Sequence, residues 1–264
     1  MSFKNLNKKL LYNKMNDSYK ICFIIAHKYI RGYESYLSYY ISNINKFYEG
    51  ALIIIVDNNS KYKDDIFSKI TDTNVIFLNN DIECKFELGA YQVGLNYILT
   101  NNLNIYNYYI FIQDNFVLKN KYDFNNLIKN DVTACPINSY FYDVSGPRMA
   151  DICKDILTKL NLYDHLNDIT FCWCVSFIVH TSKIEQLYLY IKDIIITTRV
   201  ESEASERYLA RILYELNDHK NFDIDGDIRQ LNQFYDCWKV NFYNEYKTYF
   251  VKKVQQKNEK TLDL

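Results

Sequence analysis

The feature that most constrains the fold is a series of short, continuous apolar runs separated by stretches with helical spacing. The runs are Ile21–Ala26, Ala51–Val56, Val75–Leu78 and Tyr108–Ile112. Strands without polar alternation are buried on both faces, which is typical of a parallel sheet covered by helices. The stretches with helical spacing are Tyr33–Phe47, Ile66–Ile70 and Leu88–Thr100. The first half of the chain is therefore predicted to form βαβ units.

The second half of the chain has weaker patterns. Strands are predicted over Val132–Cys135 and Phe171–Val179, and helices over Lys183–Ile195 and Ser202–Leu216. A loop is predicted over Ile137–Met149, which contains Gly146. We predict a polar segment over 1–18, one domain over 19–233, and an aromatic and basic extension of helical character with a polar tail over 234–264.

Composition excludes one broad function and indicates a compartment. Lys and Arg number 31 against 32 Asp and Glu, giving a net charge of −1, whereas a general nucleic-acid binder needs a surplus of cationic contacts. The seven cysteines form no C-x-x-C pair, which favours a reducing compartment. Segment 1–18 lacks the apolar core of a signal peptide, and no run reaches the roughly 18 apolar residues of a membrane span. We expect a soluble, cytoplasmic protein.

Polar residues follow three of the apolar runs at the point where each predicted strand ends. They are His27-Lys28-Tyr29, Asp57-Asn58-Asn59-Ser60 and Gln113-Asp114-Asn115. The remaining run leads through a short loop to a predicted helix at Phe86-Glu87-Leu88-Gly89. In an open α/β sheet, ligands bind at the carboxyl ends of the strands. These residues are therefore candidates for a binding site.

The order of these motifs over residues 19–120 resembles the opening of the GT-A glycosyltransferases, especially family 2. In that family an apolar strand ends in a sequence similar to Asp57-Asn58-Asn59-Ser60, and a later helix begins with a glycine pattern similar to Glu87–Leu95. Similar variants occur among glycosyltransferases of large DNA viruses, so the host cytoplasm or the virion is the expected location. The resemblance implies a GT-A (Rossmann-like), mainly parallel sheet flanked by helices, with a nucleotide-sugar half over 19–120 and an acceptor half over 121–233.

The resemblance also implies roles for residues of the nucleotide-sugar half. Asp57 corresponds to the carboxylate that accepts hydrogen bonds from the nucleotide base, and Ala26 and His27 lie where the first strand meets the nucleoside. Gly89 and Ala90 would allow the backbone to approach the nucleotide sugar, since small residues are needed there; helix–sheet packing is the alternative. The complete set implied to bind the nucleotide sugar is Ala26, His27, Asp57, Asn58, Glu87, Gly89, Ala90, Tyr91, Gln113 and Asp114.

A divalent cation is a further implication of the resemblance. The family's Asp-x-Asp metal motif is represented here by Gln113-Asp114-Asn115, which has one carboxylate between two amides. Asp114 and Asn115 are the implied ligands of Mn²⁺ or Mg²⁺, which prefer oxygen donors. Because an amide oxygen does not offset the charge of a metal, a cationic side chain in place of the metal is the alternative.

The predicted helix over Ser202–Leu216 contains the candidate catalytic base. Its apolar face comprises Tyr208, Leu209, Ile212, Leu213 and Leu216. Inverting relatives carry the base in a Glu-Asp-x-x-Leu pattern, and aligning Leu209 with that leucine assigns the role to Glu206. Glu203 is the second candidate, with an ion pair to Arg207 four residues later as its structural alternative.

The expected activity is transfer of a sugar, with inversion, from a nucleoside-diphosphate sugar to a hydroxyl of a glycan or protein. A UDP-sugar is the expected donor, and the aromatic C-terminal stretch suggests a homodimer. Two other functions stay open. One is a related scaffold protein without catalysis, because the metal motif is incomplete. The other is an S-adenosylmethionine-dependent methyltransferase, because Phe86-Glu87-Leu88-Gly89 is similar to a Glu-x-Gly cofactor loop.

Overall fold

The centre of the molecule is a six-stranded sheet with helices packed against it. The computed structural model describes residues 19–29, 37–114, 116–118, 120–140, 147–163, 171–224 and 250–252. The elements of the first half are β1 (Ile21–His27), α1 (Leu37–Phe47), β2 (Leu52–Asp57), α2 (Asp64–Phe67), β3 (Val75–Asn79), α3 (Phe86–Thr100), β4 (Tyr108–Gln113) and β5 (Phe116–Leu118). Those that follow are α4 (Asn125–Lys129), β6 (Ala134–Pro136), β7 (Ser139–Tyr140), α5 (Pro147–Lys159), β8 (Phe171–Cys172), β9 (Phe177–His180), α6 (Ile184–Ile191), α7 (Arg199–Leu216) and β10 (Phe250–Lys252).

The strand order in the main sheet is β3-β2-β1-β4-β9-β6. The first four strands are parallel, and their register aligns Ile24 of β1 with Ile54 of β2 and Phe111 of β4. Strand β9 runs antiparallel to both of its neighbours, β4 and β6. Two small antiparallel sheets pair β5 with β10 and β7 with β8.

Each face of the parallel sheet has its own apolar core. Alternate residues of a strand point to opposite faces, and β1 accordingly contributes Cys22, Ile24 and Ala26 to one core and Ile21, Phe23 and Ile25 to the other. Helices α3, α5, α6 and α7 cover the first face, and α1 and α4 cover the second. This double burial explains why the strands lack polar alternation.

The strand order reverses between β1 and β4. The chain proceeds from β1 to β2 and β3 on one side and then returns to place β4 on the other side of β1. At such a reversal the connections leave in opposite directions, so a crevice opens outside the carboxyl ends of the two strands. The residues that end β1 and β4 are therefore the candidates for a ligand site.

The structure confirms an α/β architecture with a mostly parallel sheet flanked by helices. It corrects the predicted single strand over 171–179, where a 3-10 turn at Trp173–Val175 separates β8 from β9. It also places helix α5 at residues 147–159, so the loop predicted over 137–149 ends earlier. Of segment 234–264 only 250–252 are described, as strand β10 and not a helix, and segment 1–18 lies outside the described residues. No helix in the described part of the chain has the length and apolar character to span a membrane.

Candidate functional site

The predicted site residues of β1, β2 and β4 lie side by side at one edge of the sheet. His27 and Asp57 are the last residues of β1 and β2 and are register partners. Gln113 is the last residue of β4, is aligned with Ala26, and is followed directly by Asp114. Because these strands are parallel, their ends bring the predicted residues together at the carboxyl edge, next to the strand-order reversal.

His27 lies between two carboxylates in the interior of this edge. Its Nδ1 atom is 2.9 Å from Oδ2 of Asp114, and its Nε2 atom is 4.0 Å from Oδ1 of Asp57. His27 is 1% exposed, Asp57 0% and Asp114 9%. Among the described residues neither ring nitrogen of His27 has an aligned hydrogen-bond partner, so its approach to Asp114 is a close contact only. The imidazole therefore lies between the ends of β2 and β4, and its contact with a nucleoside stays a prediction.

The carboxylate of Asp57 is engaged by the turn that follows it. Its Oδ2 accepts a hydrogen bond from the backbone N–H of Ser60 at 2.7 Å, and its Oδ1 accepts one from the Ser60 hydroxyl at 2.6 Å. The Ser60 oxygen in turn accepts the backbone N–H of Tyr29 at 2.8 Å. Asp57 thus fixes the loop after β2 against the end of β1, and recognition of a nucleotide base stays a prediction.

Asn80, which the sequence analysis did not single out, ties the loops after β2 and β3 together. Its amide nitrogen donates to Oδ1 of Asn58 at 2.7 Å and to the carbonyl of Cys84 at 3.0 Å. The side chain is fully buried, and its Oδ1 atom has no hydrogen-bond partner in the part of the chain that the structure describes. Asn58, a predicted nucleotide-sugar ligand, is therefore held in place by a buried amide.

Lys28, which the sequence analysis named at the end of the first strand but did not assign to the nucleotide sugar, also lies at this edge of the sheet. Its backbone N–H donates to Oδ2 of Asp114 at 2.9 Å. Its ammonium group is exposed and donates to the carbonyl oxygens of Asn58 and Asn59, the latter at 3.0 Å. The one signal in the sequence was its position directly after the last residue of a buried strand. Lys28 therefore spans from the end of β4 to the loop after β2.

A chain of hydrogen bonds joins the predicted donor half to the predicted base. The amide nitrogen of Gln113 donates to Oε1 of Glu87 at 2.8 Å and to the carbonyl of Cys174 at 3.1 Å. The backbone N–H of Cys174 donates to Oε1 of Glu206 at 3.0 Å. Oε2 of Glu87 accepts the hydroxyl of Ser202 at 3.1 Å. The structure thus connects Gln113, Glu87 and Glu206, although they come from three separate elements.

The turn that carries Cys174 has an uncommon backbone conformation. Cys174 and Val175 have φ angles of 53° and 54°, in the left-handed region that L residues rarely adopt. Such a residue costs on the order of 1–3 kcal/mol and persists when its surroundings hold it in place. Here Gln113 and Glu206 hold the two polar groups of the Cys174 backbone. No glycine marks this turn in the sequence, which is why it was predicted as continuous strand.

The N-terminus of α7 is a capping box. The hydroxyl of Thr198 accepts the backbone N–H of Glu201 at 3.3 Å, and the Glu201 carboxylate accepts the N–H groups of Thr197 and Thr198 at 2.8 Å each. The hydrogen bonds from Thr197 and Thr198 lower the pKa of Glu201. The cap fixes where the helix begins and with it the position of Ser202 and Glu206.

The predicted ion pair between Glu203 and Arg207 is wrong. Glu203 pairs instead with Arg199, one turn earlier, at 3.0 Å. The guanidinium of Arg207 donates to the backbone carbonyl of Glu203 at 2.9 Å and lies over the ring of Phe171 at 4.5 Å. Because Arg207 is buried while Arg199 is exposed, Glu203 faces the outer side of the helix.

Arg199 is the first residue of α7 and pairs with Glu203 at 3.0 Å. Burial lowers the pKa of Arg199. The hydrogen bond to Glu203 and the charges of Glu203, Glu87 and Glu206 raise it by more, so the net shift of the pKa is upward. An upward shift means that these carboxylates favour the charged guanidinium. Arg199 is therefore within electrostatic range of Glu203, Glu87 and Glu206.

The start of α3 is packed too closely for a side chain at Gly89. A Cβ atom there would lie 2.0 Å from the carbonyl oxygen of Cys84 and 2.6 Å from the amide nitrogen of Asn80. Ala90 and Tyr91 are fully buried, and the Tyr91 ring packs edge-on against Phe111. Burial, followed by the charge of Glu87, raises the pKa of Tyr91 well above its ordinary value. Packing explains these three residues, and their part in nucleotide binding stays a prediction.

Of the two ligands implied for the divalent cation, the structure describes Asp114. Oδ2 of Asp114 already accepts the N–H of Lys28, and the amide nitrogen of Gln113 faces Glu87. Within the described ranges no group of three or more His, Cys, Asp or Glu side chains is arranged to hold a metal ion. The second implied ligand, Asn115, lies outside the described residues. A divalent cation held by Asp114 together with the phosphates of a donor stays a prediction.

Comparison with known proteins adds no relative. The sequence matches no protein-family model and no curated protein.

Proposed function

We propose that this protein is a glycosyltransferase of the GT-A type that transfers a sugar from a nucleoside-diphosphate sugar to a hydroxyl acceptor. A UDP-sugar is the favoured donor, and a glycan or a protein is the favoured acceptor. The observation that carries the proposal is the hydrogen-bonded chain from Gln113 through the Cys174 peptide to Glu206. It joins the end of β4, where a ligand is expected, to a carboxylate suited to act as base.

The donor is assigned to the strand-order reversal between β1 and β4. Ligands of open α/β sheets bind outside the carboxyl ends at such a point, and His27 and Asp114 flank it at 2.9 Å from each other. Asp57 and Asn58 follow the neighbouring strand and are assigned to the base. The diphosphate then extends toward Asp114, and the sugar toward Gln113 and Glu87.

Glu206 is assigned the role of general base. It is half-buried, which suits a carboxylate that must take a proton, and its Oε1 atom is oriented by the Cys174 N–H at 3.0 Å. In the proposed step the acceptor oxygen attacks the anomeric carbon while its proton passes to Glu206. The bond from that carbon to the diphosphate oxygen breaks, and the diphosphate leaves with the electron pair. A single displacement of this kind inverts the anomeric configuration.

The proposal is tested by incubating the protein with UDP-, GDP- and dTDP-sugars and following release of the free diphosphate, alongside calorimetric titration with each nucleotide. Selective binding of one nucleotide together with turnover of its sugar supports the proposal. Nucleotide binding without turnover of any sugar, with a panel of glycan and peptide acceptors present, indicates the scaffold function instead. Binding of S-adenosylmethionine and of no nucleoside diphosphate indicates a methyltransferase.

A further inference from the structure

We propose that the ammonium group of Lys28 binds the diphosphate of the donor and supplies the positive charge that offsets the departing nucleotide. This inference rests on the proposed function and adds to it a phosphate-binding residue that does not depend on a metal. The position, the partners and the charge of Lys28 each support it.

The position of Lys28 is the crevice at the strand-order reversal. It is the first residue after β1, and its backbone N–H donates to Oδ2 of Asp114, the residue after β4, at 2.9 Å. The backbone of Lys28 is therefore fixed across the reversal, while its side chain is exposed. A ligand at the carboxyl edge meets this side chain directly.

The partners of the ammonium group are neutral. Its Nζ atom donates to the backbone carbonyls of Asn58 and Asn59, and no carboxylate of the described residues lies at ion-pair distance. Several lysines elsewhere in the described chain do pair with an aspartate: Lys159, Lys183, Lys192 and Lys220. Phosphate oxygens accept stronger hydrogen bonds from an ammonium group than a neutral carbonyl does. A diphosphate is therefore expected to displace the two carbonyls.

Two more lysines with neutral partners lie at the same edge of the sheet. Lys63 donates to the side-chain oxygen of Asn79, the last residue of β3, and Lys85 donates to the carbonyl of Ile82 at 2.7 Å. The loop of Lys85 also carries the exposed acids Asp81 and Glu83, which reduce its local positive charge. Of the three, Lys28 is the one whose backbone N–H contacts a predicted site carboxylate, that of Asp114. The inference is therefore assigned to Lys28.

The charge of the site needs such a cation. Asp114 presents a carboxylate where the diphosphate is expected, and two negative groups at close range repel each other. A divalent cation can bridge such groups, but the Gln113-Asp114-Asn115 motif supplies one carboxylate, so a further cation at this edge would help to offset the charge. The backbone N–H of Lys28 contacts Asp114, and its exposed ammonium group adds a positive charge at the same edge of the sheet.

The experiment is calorimetric titration of the full-length protein with UDP and with uridine, in EDTA and in Mn²⁺. The variants are Lys28→Met, which keeps the length of the side chain but removes the charge, and Lys28→Arg, which keeps the charge. Lys159→Met, which removes an exposed lysine of helix α5, is the control, and circular dichroism checks that each variant is folded.

We expect the wild type to bind UDP equally well in EDTA and in Mn²⁺. Lys28→Met should weaken UDP binding by roughly 10- to 100-fold, the loss typical of a charged hydrogen bond, and leave uridine binding unchanged. Lys28→Arg and Lys159→Met should retain most of the affinity for UDP.

Wild-type affinity for UDP in Lys28→Met overturns the inference and leaves the proposed function in place. An equal loss of affinity for UDP and for uridine also overturns the inference, since uridine has no phosphate. If UDP binding requires Mn²⁺ and is unchanged in Lys28→Met, a metal ion supplies the positive charge and the inference is wrong. If the wild type binds none of UDP, GDP and dTDP, both the inference and the proposed function are wrong.

Discussion

Nδ1 of His27 lies 2.9 Å from Oδ2 of Asp114, so the last residue of β1 contacts the residue that follows β4. The same carboxylate oxygen accepts the backbone N–H of Lys28 at 2.9 Å. Two consecutive residues at the end of β1 thus contact the one carboxylate of the Gln113-Asp114-Asn115 motif. This contact lies at the carboxyl edge of the sheet, where the donor is proposed to bind.

Replacing Glu206 by glutamine should abolish most catalysis without disturbing the fold. The amide oxygen of the substituted side chain can still accept the Cys174 N–H, but it cannot take a proton from the acceptor. We expect the turnover number to fall roughly 100- to 10,000-fold, the usual contribution of a general base, with donor affinity retained. The measurement is steady-state release of the nucleoside diphosphate in the presence of acceptor.

Glu203→Gln is the matched control for that prediction, because Glu203 is on the same helix and pairs with Arg199 on its outer side. It should keep close to the wild-type rate. An equal fall in both variants would remove Glu206 from the role of base and point to a general effect of charge at this helix.

Asp57→Ala should lower the free energy of unfolding by about 1–3 kcal/mol, because it leaves buried donors of Ser60 without an acceptor. Ser60→Ala removes the hydroxyl and keeps the backbone contact, so its effect should be smaller. Urea denaturation of both variants at neutral pH measures the difference. If Asp57→Ala unfolds at the urea concentration of the wild type, the loop after β2 is not stabilised by this carboxylate.

Gly89→Ala should destabilise the protein more than Gly94→Ala does. At position 89 the new Cβ atom meets the backbone carbonyl of Cys84 at 2.0 Å, whereas at position 94 it meets a side-chain methyl of Ile24 at 2.7 Å. Overpacking typically costs about 1–3 kcal/mol, and alanine regains roughly 0.5–1 kcal/mol in a helix interior. Thermal melting ranks the two variants; the reverse order contradicts the close packing of Gly89.

The capping box of α7 should make part of the stability dependent on acid pH. Hydrogen bonds from Thr197 and Thr198 lower the pKa of Glu201 in the folded state below its ordinary value of 4.5. A lowered folded pKa gives stability that is present above the unfolded pKa and is lost as the pH falls through the folded pKa. The wild type should therefore exceed Glu201→Gln in stability by a constant amount above about pH 5.5.

Below the ordinary pKa of 4.5 that advantage should shrink steadily as the carboxyl group takes up a proton. Urea denaturation of both proteins across the range from acid to neutral pH provides the measurement. A difference that does not change with pH would mean that the Glu201 charge plays no part in the cap.

The parallel strands could be predicted from the sequence because a strand that is buried on both faces is a continuous run of apolar residues. The predicted runs Ile21–Ala26 and Tyr108–Ile112 each lie one residue short of the observed strand, which ends at His27 or Gln113. The backbone ladder continues into these polar residues because their backbone groups pair whatever the side chain. His27 and Gln113, two of the predicted site residues, are therefore part of the sheet.

Helix α5 was missed although a signal was present. Met149, Ile152, Cys153, Ile156 and Leu157 follow helical spacing and pack on the core. Pro147 begins the helix, and proline is favoured at the first helical position. Most of the residues between these five positions are polar or charged, so the helix was not predicted.

The turn at Cys174 and the contacts of Gln113 had no local signal at all. They depend on the antiparallel course of β9, which brings the residues before Phe177 to the carboxyl edge of β4. Long-range pairing of this kind is set by tertiary packing, so the sequence predicted Glu206 as a candidate without its partners. Asn80 was not singled out for the same reason, and Lys28 was named only by its position at the end of a strand.

The hydrogen bond between Glu87 and Ser202 joins residues 115 positions apart in the chain. During synthesis, β1 to β4 leave the ribosome well before α7 does. The contact between Glu87 and Ser202 can therefore form only after α7 has been made. A nascent chain that stops before residue 206 lacks the candidate base, so under the proposed mechanism sugar transfer must wait for α7.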